Sequence, residues 1–277
     1  MLDLDVLARE ASSLEPLPTS VARLAALVCE GTPELSEVVD IVRFDQALTA
    51  TLLRTANSSW SASRTQITTV DDAVVRLGSG PVLSLAFAVT VRAQMSRAVP
   101  EYGLGEGELW SHSVAASLAA ELICRTAPIR PPVETPTAAL LHDVGKLVMA
   151  RFLDRELLDA LRDAQARGLA RMDAELEVLG IHHAELGALI AQSWGLPSAL
   201  VYGIRRHHEP GDDHGGIAYG IHLADVVAKT IGAGLDDNPD IERFGRAAGE
   251  LGLHADHIDE IHKLTDERFH EVLGRFT

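Results

Sequence analysis

The stretch ALLHDVGKLVMARF (139–152) sets His142 and Asp143 side by side in an otherwise apolar, helix-forming run. Neighbouring residues on a helix diverge by about a third of a turn, so these side chains leave on different faces. Two adjacent ionisable groups among apolar residues need a partner that accepts both, and a metal ion does so. Further candidates follow at helical spacings. In EGELWSHSVAAS, Glu108 and His112 are four apart and leave one helix face a turn apart. In GIHHAELGALIAQSWG, His183 is followed four residues on by Gly187, on a face otherwise built from Leu186, Leu189 and Ile190. In YGIRRHHEP, His207 and His208 end a helix that Pro210 stops. In AYGIHLADVVAK, Asp225 interrupts an apolar helix with no evident Lys or Arg to neutralise it.

The inventory is five imidazoles (His112, His142, His183, His207, His208) and three carboxylates (Glu108, Asp143, Asp225). Imidazole and carboxylate without thiolate suit Fe, Mn, Ni, Co or Zn rather than an iron–sulfur cluster. Eight ligands exceed one tetrahedral zinc. They suit two metals bridged by a carboxylate such as Asp143, with open positions for water and substrate. Each residue alone has an ordinary structural explanation. A single His on an apolar face packs, the His–Asp dipeptide can be a hydrogen-bonded pair, and His207–His208 can sit at a helix C-terminus as cation-friendly residues. Asp225 can cap or pair with a distant Arg, and Glu108 can be solvated. Taken together, five separate insertions of unpaired His and Asp into apolar helices are the costlier account. His182, His214 and His222 read as a neighbour of the ligand, a loop residue and a residue one turn from Asp225; His222 is the first candidate for a supporting partner.

Helices must position these groups. SVARLAALVCE (20–30) places Val21, Leu24, Ala25 and Val28 on one face, and PELSEVVDIVRF follows with Pro33 as an expected first-turn residue. TTVDDAVVRLGSG ends at Gly78 and Gly80 as stop signals. VLSLAFAVTVRAQM is apolar nearly all round; β-branched residues allow a buried strand, but its length favours a buried helix. SRAVPEYGLGEG (96–107) is the clearest break and reads as a linker or long turn. TAPIRPPVETP (126–136) and HEPGDDHGGIA (208–218) read as loops, and the tail from Asp240 as solvated helices packing on the core. The reading is all-α, in two helical lobes meeting near residue 100.

With 277 residues the chain can form one large or two modest domains. No apolar run approaches the roughly 20 residues that span a bilayer. MLDLDVLARE lacks a basic region before an apolar core and does not read as a signal peptide. Two cysteines, Cys29 and Cys124, make a disulfide framework unexpected and a cytoplasmic location the simplest expectation. The net charge of −16 argues against nonspecific nucleic-acid binding, without excluding an anionic ligand held locally by metal.

LLHDVGK, with WSHS, HHAELG…WGLP and IRRHHEP, resembles the HDOD family, a branch of the HD phosphohydrolase superfamily found in bacterial signalling proteins. LEPLPTSVARLAAL, VRFDQALTATLLRTANSS and ITTVDDAVVRLG resemble the N-terminal helical part of such modules, so the similarity covers roughly residues 14 to 232. The resemblance implies an N-terminal helical lobe over 1–98 and, over 99–277, an HD-type helical bundle carrying a metal site and the C-terminal helices. Many HDOD proteins are regarded as regulatory modules that have lost part of that site. The related HD-GYP enzymes hydrolyse cyclic di-GMP at a bi- or trinuclear centre whose ligand order is filled here by Glu108, His112, His142, Asp143, His183, His207, His208 and Asp225. Their phosphate-contacting Lys matches Lys146, whose ordinary alternative is a snorkelling surface lysine. After His207–His208 the chain reads EPGDDHGGIAYG, without the Gly-Tyr-Pro signature of those enzymes.

The expectation is therefore a signal-transduction HDOD protein with a dinuclear site for divalent Fe, Mn or Zn, acting through a signalling protein partner or a nucleotide ligand, and with neither nucleic acid nor membrane. The alternative is a metal-dependent phosphohydrolase, phosphodiesterase-like, in which the metals lower the pKa of a shared water, Asp143 bridges them and Lys146 offers a charge to a phosphate oxygen. A third reading, a diiron site for oxygen chemistry, is selected by no residue. The oligomeric state is left open.

Overall fold

Apolar stripes at helical spacing become helices throughout. A computed structural model describes residues 4–31, 33–58, 66–211, 213–234 and 241–273. The first lobe comprises α1 (Leu4–Ala11), α2 (Thr19–Cys29), α3 (Leu35–Arg43), α4 (Gln46–Ala56), α5 (Val70–Leu77) and α6 (Ser79–Met95). α2 buries Val21, Leu24, Ala25 and Val28, the expected face. Side-chain caps fix two starts: Asp45 accepts from Leu48 N–H before α4, and Thr69 accepts from Asp72 N–H before α5. Pro33 stands outside α3 rather than in its first turn, because Glu34 is the cap and closes a capping box with Glu37. Gly78, at φ 84°, makes the elbow between α5 and α6, which cross at 111°. Gly80 is not a stop; it lies inside α6. The run that could have been strand is helix, with Val82, Leu83, Ala86, Phe87, Val91 and Met95 buried.

The break at 96–107 is a compact turn. Pro100–Tyr102 form a short 3-10 helix, and Val99 pairs with Leu104, both buried. No other β-bridge occurs among the described residues. Beyond it come α7 (Glu108–Thr126), α8 (Thr135–Leu141), α9 (Gly145–Met149), α10 (Arg155–Ala166), α11 (Arg171–Leu179), α12 (His183–Ser193), α13 (Ser198–Arg206), α14 (Ile217–Ala228), α15 (Ile241–Glu250) and α16 (Ala255–Leu273). α7 is the central beam, packed against α8, α14 and α16. The lobes share one core: α1 lies on α9 and α12, and α6 on α7 and α8.

α9 and α12 meet backbone to backbone. A Cβ on Gly145 would collide with the His183 carbonyl oxygen and lie 2.6 Å from Gly187 N. Only glycine lets the segment after His142–Asp143 come this close to the start of the His183 helix. No single described helix is long and apolar enough to cross a membrane; the bent pair α5–α6 passes by composition, with much of α6 buried in the core.

Candidate metal centre

His142 and Asp143 occupy the turn joining α8 to α9 rather than a helix interior. Bonds from Val144 N–H to Leu141 O (3.0 Å) and from Lys146 N–H to Asp143 O (3.0 Å) tighten the chain there to i→i+3 spacing. His112 comes from α7, His183 from the first position of α12, His207 and His208 from the end of α13, and Asp225 from α14. His112, His142, Asp143, His183, His207 and Asp225 are each at most 3% exposed, while His208 is half-buried at the edge.

Each buried imidazole is oriented from behind. The Nδ1–H groups donate to backbone carbonyls: His112 to Ala233 (2.8 Å), His142 to Ala139 (2.7 Å), His207 to Ile204 (2.7 Å). His183 Nδ1 is held instead by Glu175 Oε2 (2.7 Å). In the neutral rings this leaves Nε2 as a lone pair, and the lone pairs converge. His112 Nε2 and His142 Nε2 are 3.2 Å apart, and His183 Nε2 lies 2.9 Å from His208 Nε2. Facing lone pairs repel unless a proton or a cation sits between them. His207 Nε2 and Asp225 Oδ1 are buried without a hydrogen-bond partner, although Asp225 Oδ1 is only 3.1 Å from His112 Nε2. Unsatisfied buried acceptors aimed into one space are what a cation site requires.

The donors fall into three overlapping trios whose atoms lie within 4.8 Å of one another: His112, His142 and Asp225; His142, Asp143 and His207; His183, His207 and His208. Asp143 spans them. Its Oδ2 is 3.3 Å from His142 Nε2 and 3.6 Å from His112 Nε2, and its Oδ1 is 3.4 Å from His183 Nε2. The donor set fits a divalent ion.

The two carboxylates and two of the imidazoles are held in the form that ligates. Burial works to raise the Asp143 carboxyl, but His142 and Lys146 outweigh it and hold it well below the usual carboxylate range. Burial likewise opposes the Asp225 charge, and Lys229 and His112 overcome it. Burial, then neighbouring imidazoles, push His207 and His208 well down, keeping both neutral. For His142 burial is outweighed by Asp143 and Asp225, and its pKa rises.

Several expectations need correcting. Glu108 does not join the cluster: it is exposed at the start of α7, and its Oε2 accepts from Gly105 N–H at 2.8 Å. Asp225 is not without a cation, since Lys229, one turn on, donates to its Oδ2 at 2.9 Å. Lys146 is no surface lysine; it is 5% exposed and donates to Asp143 Oδ2 at 2.6 Å. His182 caps α12 by accepting from Glu185 N–H at 3.2 Å. His222 Nδ1–H donates to the His207 carbonyl at 2.9 Å, and the His214 side chain lies outside the described residues.

Glu175 was not anticipated. Fully buried in α11, it accepts from His183 N–H (2.8 Å) and the His183 ring through Oε2, and from Tyr102 Oη–H (2.9 Å) and Arg171 Nε–H (3.2 Å) through Oε1. Burial opposes its charge, yet these partners, His183 foremost, bring its carboxyl down to about 2. Its signal was legible: helical spacing puts it on the stripe of Met172 and Leu179, where a carboxylate needs a partner.

Comparison with known proteins agrees with this fold. An HDOD domain protein from Geobacter sulfurreducens has the same fold, with 23% identity, a TM-score of 0.69, and 96% of this chain and 99% of that one covered. A candidate phosphohydrolase from Shewanella amazonensis is 25% identical at a TM-score of 0.66, covering 94% and 93%. A curated but uncharacterised protein of Treponema pallidum is 25% identical over 194 residues; the match takes in 69% of this chain and 37% of that protein. Residues 14–210 match the HDOD domain, and the chain belongs to the HDOD family.

Proposed function

We propose that this chain is a regulatory HDOD protein of bacterial signal transduction whose second lobe holds two divalent metal ions. The observation that carries the reading is a set of seven converging donors that is almost wholly buried. A site built for turnover keeps an open position, whereas a closed site holds its ion and is held by it. Here all six buried donors are already held by a partner within the fold, and only His208 is half-buried at the edge.

His112, His142 and Asp225 would hold one ion, and His183, His207 and His208 the other. Asp143 would face both through its separate oxygens. When bound, the ions supply positive charge that lets crowded lone pairs share one space. The residues do the remainder: they tie α7, the α8–α9 turn, α12, α13 and α14 to one point, so occupancy fixes how these helices pack. A signalling protein or a nucleotide that reads this packing is the partner the proposal requires. Metal content checks it first. Protein purified without added metal or chelator is expected to carry about two equivalents of Fe, Mn or Zn, and His142→Ala to lose at least one. Protein that neither contains metal nor takes it up would refute the dinuclear site.

A second reading, phosphoester hydrolysis, is favoured by the half-buried His208, which gives one side of the cluster access to solvent. There the metals would acidify a shared water and polarise a phosphoryl oxygen. Lys146 would have to leave Asp143 to meet a phosphate. With the metal-loaded protein and bis(p-nitrophenyl) phosphate, the regulatory reading expects no release of nitrophenol; release abolished by His142→Ala would move the conclusion to the hydrolase.

A further inference from the structure

A cavity of about 600 Å³ lies where α4 and α6 of the first lobe meet α7, α8 and α16. That volume suits a small organic molecule. Its wall is mainly apolar, from Leu85, Ala88, Trp110, Val114, Leu118 and Leu140. It shares no residue with the metal cluster. On α7, Trp110, Val114 and Leu118 stand across the helix from His112, so one helix separates the two.

The polar groups of the wall decide what could enter. The hydroxyls are committed within the fold: Ser84 Oγ pairs with Thr137 Oγ1 at 2.9 Å, Ser117 donates to Pro136 O at 2.9 Å, and Thr55 donates to Thr51 O at 2.9 Å. Arg268, 9% exposed, is held by Glu121 at 2.7 Å. Arg54 differs. It is exposed at the mouth, and its guanidinium donates only to Thr51 Oγ1 at 3.2 Å, with no carboxylate partner among the described residues. Three arginines (Arg54, Arg92, Arg268) and two glutamates (Glu121, Glu271) line the cavity, leaving one positive charge in a chain of net charge −16. One charge at the mouth of an apolar chamber matches a single anionic group on an apolar body. It does not match a polyphosphate, which would need several donors together.

We propose that this cavity binds an amphipathic organic monoanion, its apolar body against Trp110, Val114 and Leu85 and its carboxylate or sulfonate at Arg54. The test uses the whole chain with its metal. 1-Anilinonaphthalene-8-sulfonate, which carries one sulfonate on an aromatic body, is expected to bind with one saturable equivalent and a rise in fluorescence. Dodecanoate is expected to displace it, and dodecyltrimethylammonium, with the same tail and opposite charge, to compete at least tenfold more weakly. Arg54→Glu should weaken dodecanoate about tenfold or more, and Ala88→Trp, which fills the chamber, should abolish binding. Both variants are to keep wild-type circular dichroism and metal content. Because these controls read the metal site separately, failure of the cavity is distinguishable from failure of the metal reading. Absence of binding, binding that both variants leave unchanged, or equal competition by the cationic amphiphile would each overturn the proposal.

Discussion

His142 and Asp143 are adjacent because the tightened turn that carries them sends one ring and one carboxylate into the same space from a single short segment. Their chemistry was legible because ionisable residues inside apolar runs stand out in one dimension. Their supports were less so. Carbonyls of Ala139, Ile204 and Ala233 orient three of the rings, and a backbone oxygen leaves no mark on sequence. Glu108 shows the opposite failure: four-residue spacing puts it on the face of His112, but at the first turn of α7 its carboxylate finds Gly105 N–H first. Lys229, at i+4 from Asp225, is a partner that helical spacing alone makes legible. At this scale Glu175 gives the sharpest prediction. Glu175→Gln removes the charge behind His183 while keeping the shape, and metal affinity is expected to fall 10- to 100-fold, measured by chelator competition. The metal-free protein adds a sign. A carboxyl held at about 2, against an ordinary 4.5, stabilises the fold above its unfolded pKa. That contribution is lost as pH falls from about 4.5 towards 2. The acid limb of a urea-stability profile should therefore be shallower in Glu175→Gln than in wild type.

Elements were the most legible level. Amphipathic spacing placed the buried face of α2, and length decided for helix in α6. What spacing could not supply was where two helices touch. The collision a methyl would cause between Gly145 and the His183 carbonyl is a tertiary fact, and Gly145 read in sequence only as part of a motif. Gly145→Ala should push α9 off α12 and draw Asp143 away from His183. We expect a loss of about 1–3 kcal/mol or more in urea unfolding, the range for overpacked interiors, together with reduced metal uptake. Gly187→Ala meets Ile204 Cγ2 at 3.1 Å and Gly145 N at 3.3 Å, and should cost less because the side chain can shift.

For the molecule as a whole, the two helical lobes read from the sequence meet over a broad contact: the seating of α1 on α9 and α12, and of α6 on α7 and α8, joins them through one hydrophobic core. No local signal marks a contact between segments more than a hundred residues apart. A shared core predicts one cooperative unfolding transition of the metal-free protein, with calorimetric and van 't Hoff enthalpies equal; two resolved transitions would show that the lobes melt separately. The turn between the lobes carries a last implication. Tyr102, at its centre, hangs by its hydroxyl from Glu175, and Glu175 grips both the backbone and the ring of His183. The crossing between the lobes is thus tied through one carboxylate to a ring of the candidate metal centre. A shift of that ring would be carried through Glu175 to Tyr102, so the crossing from one lobe to the other lies two hydrogen bonds from the centre.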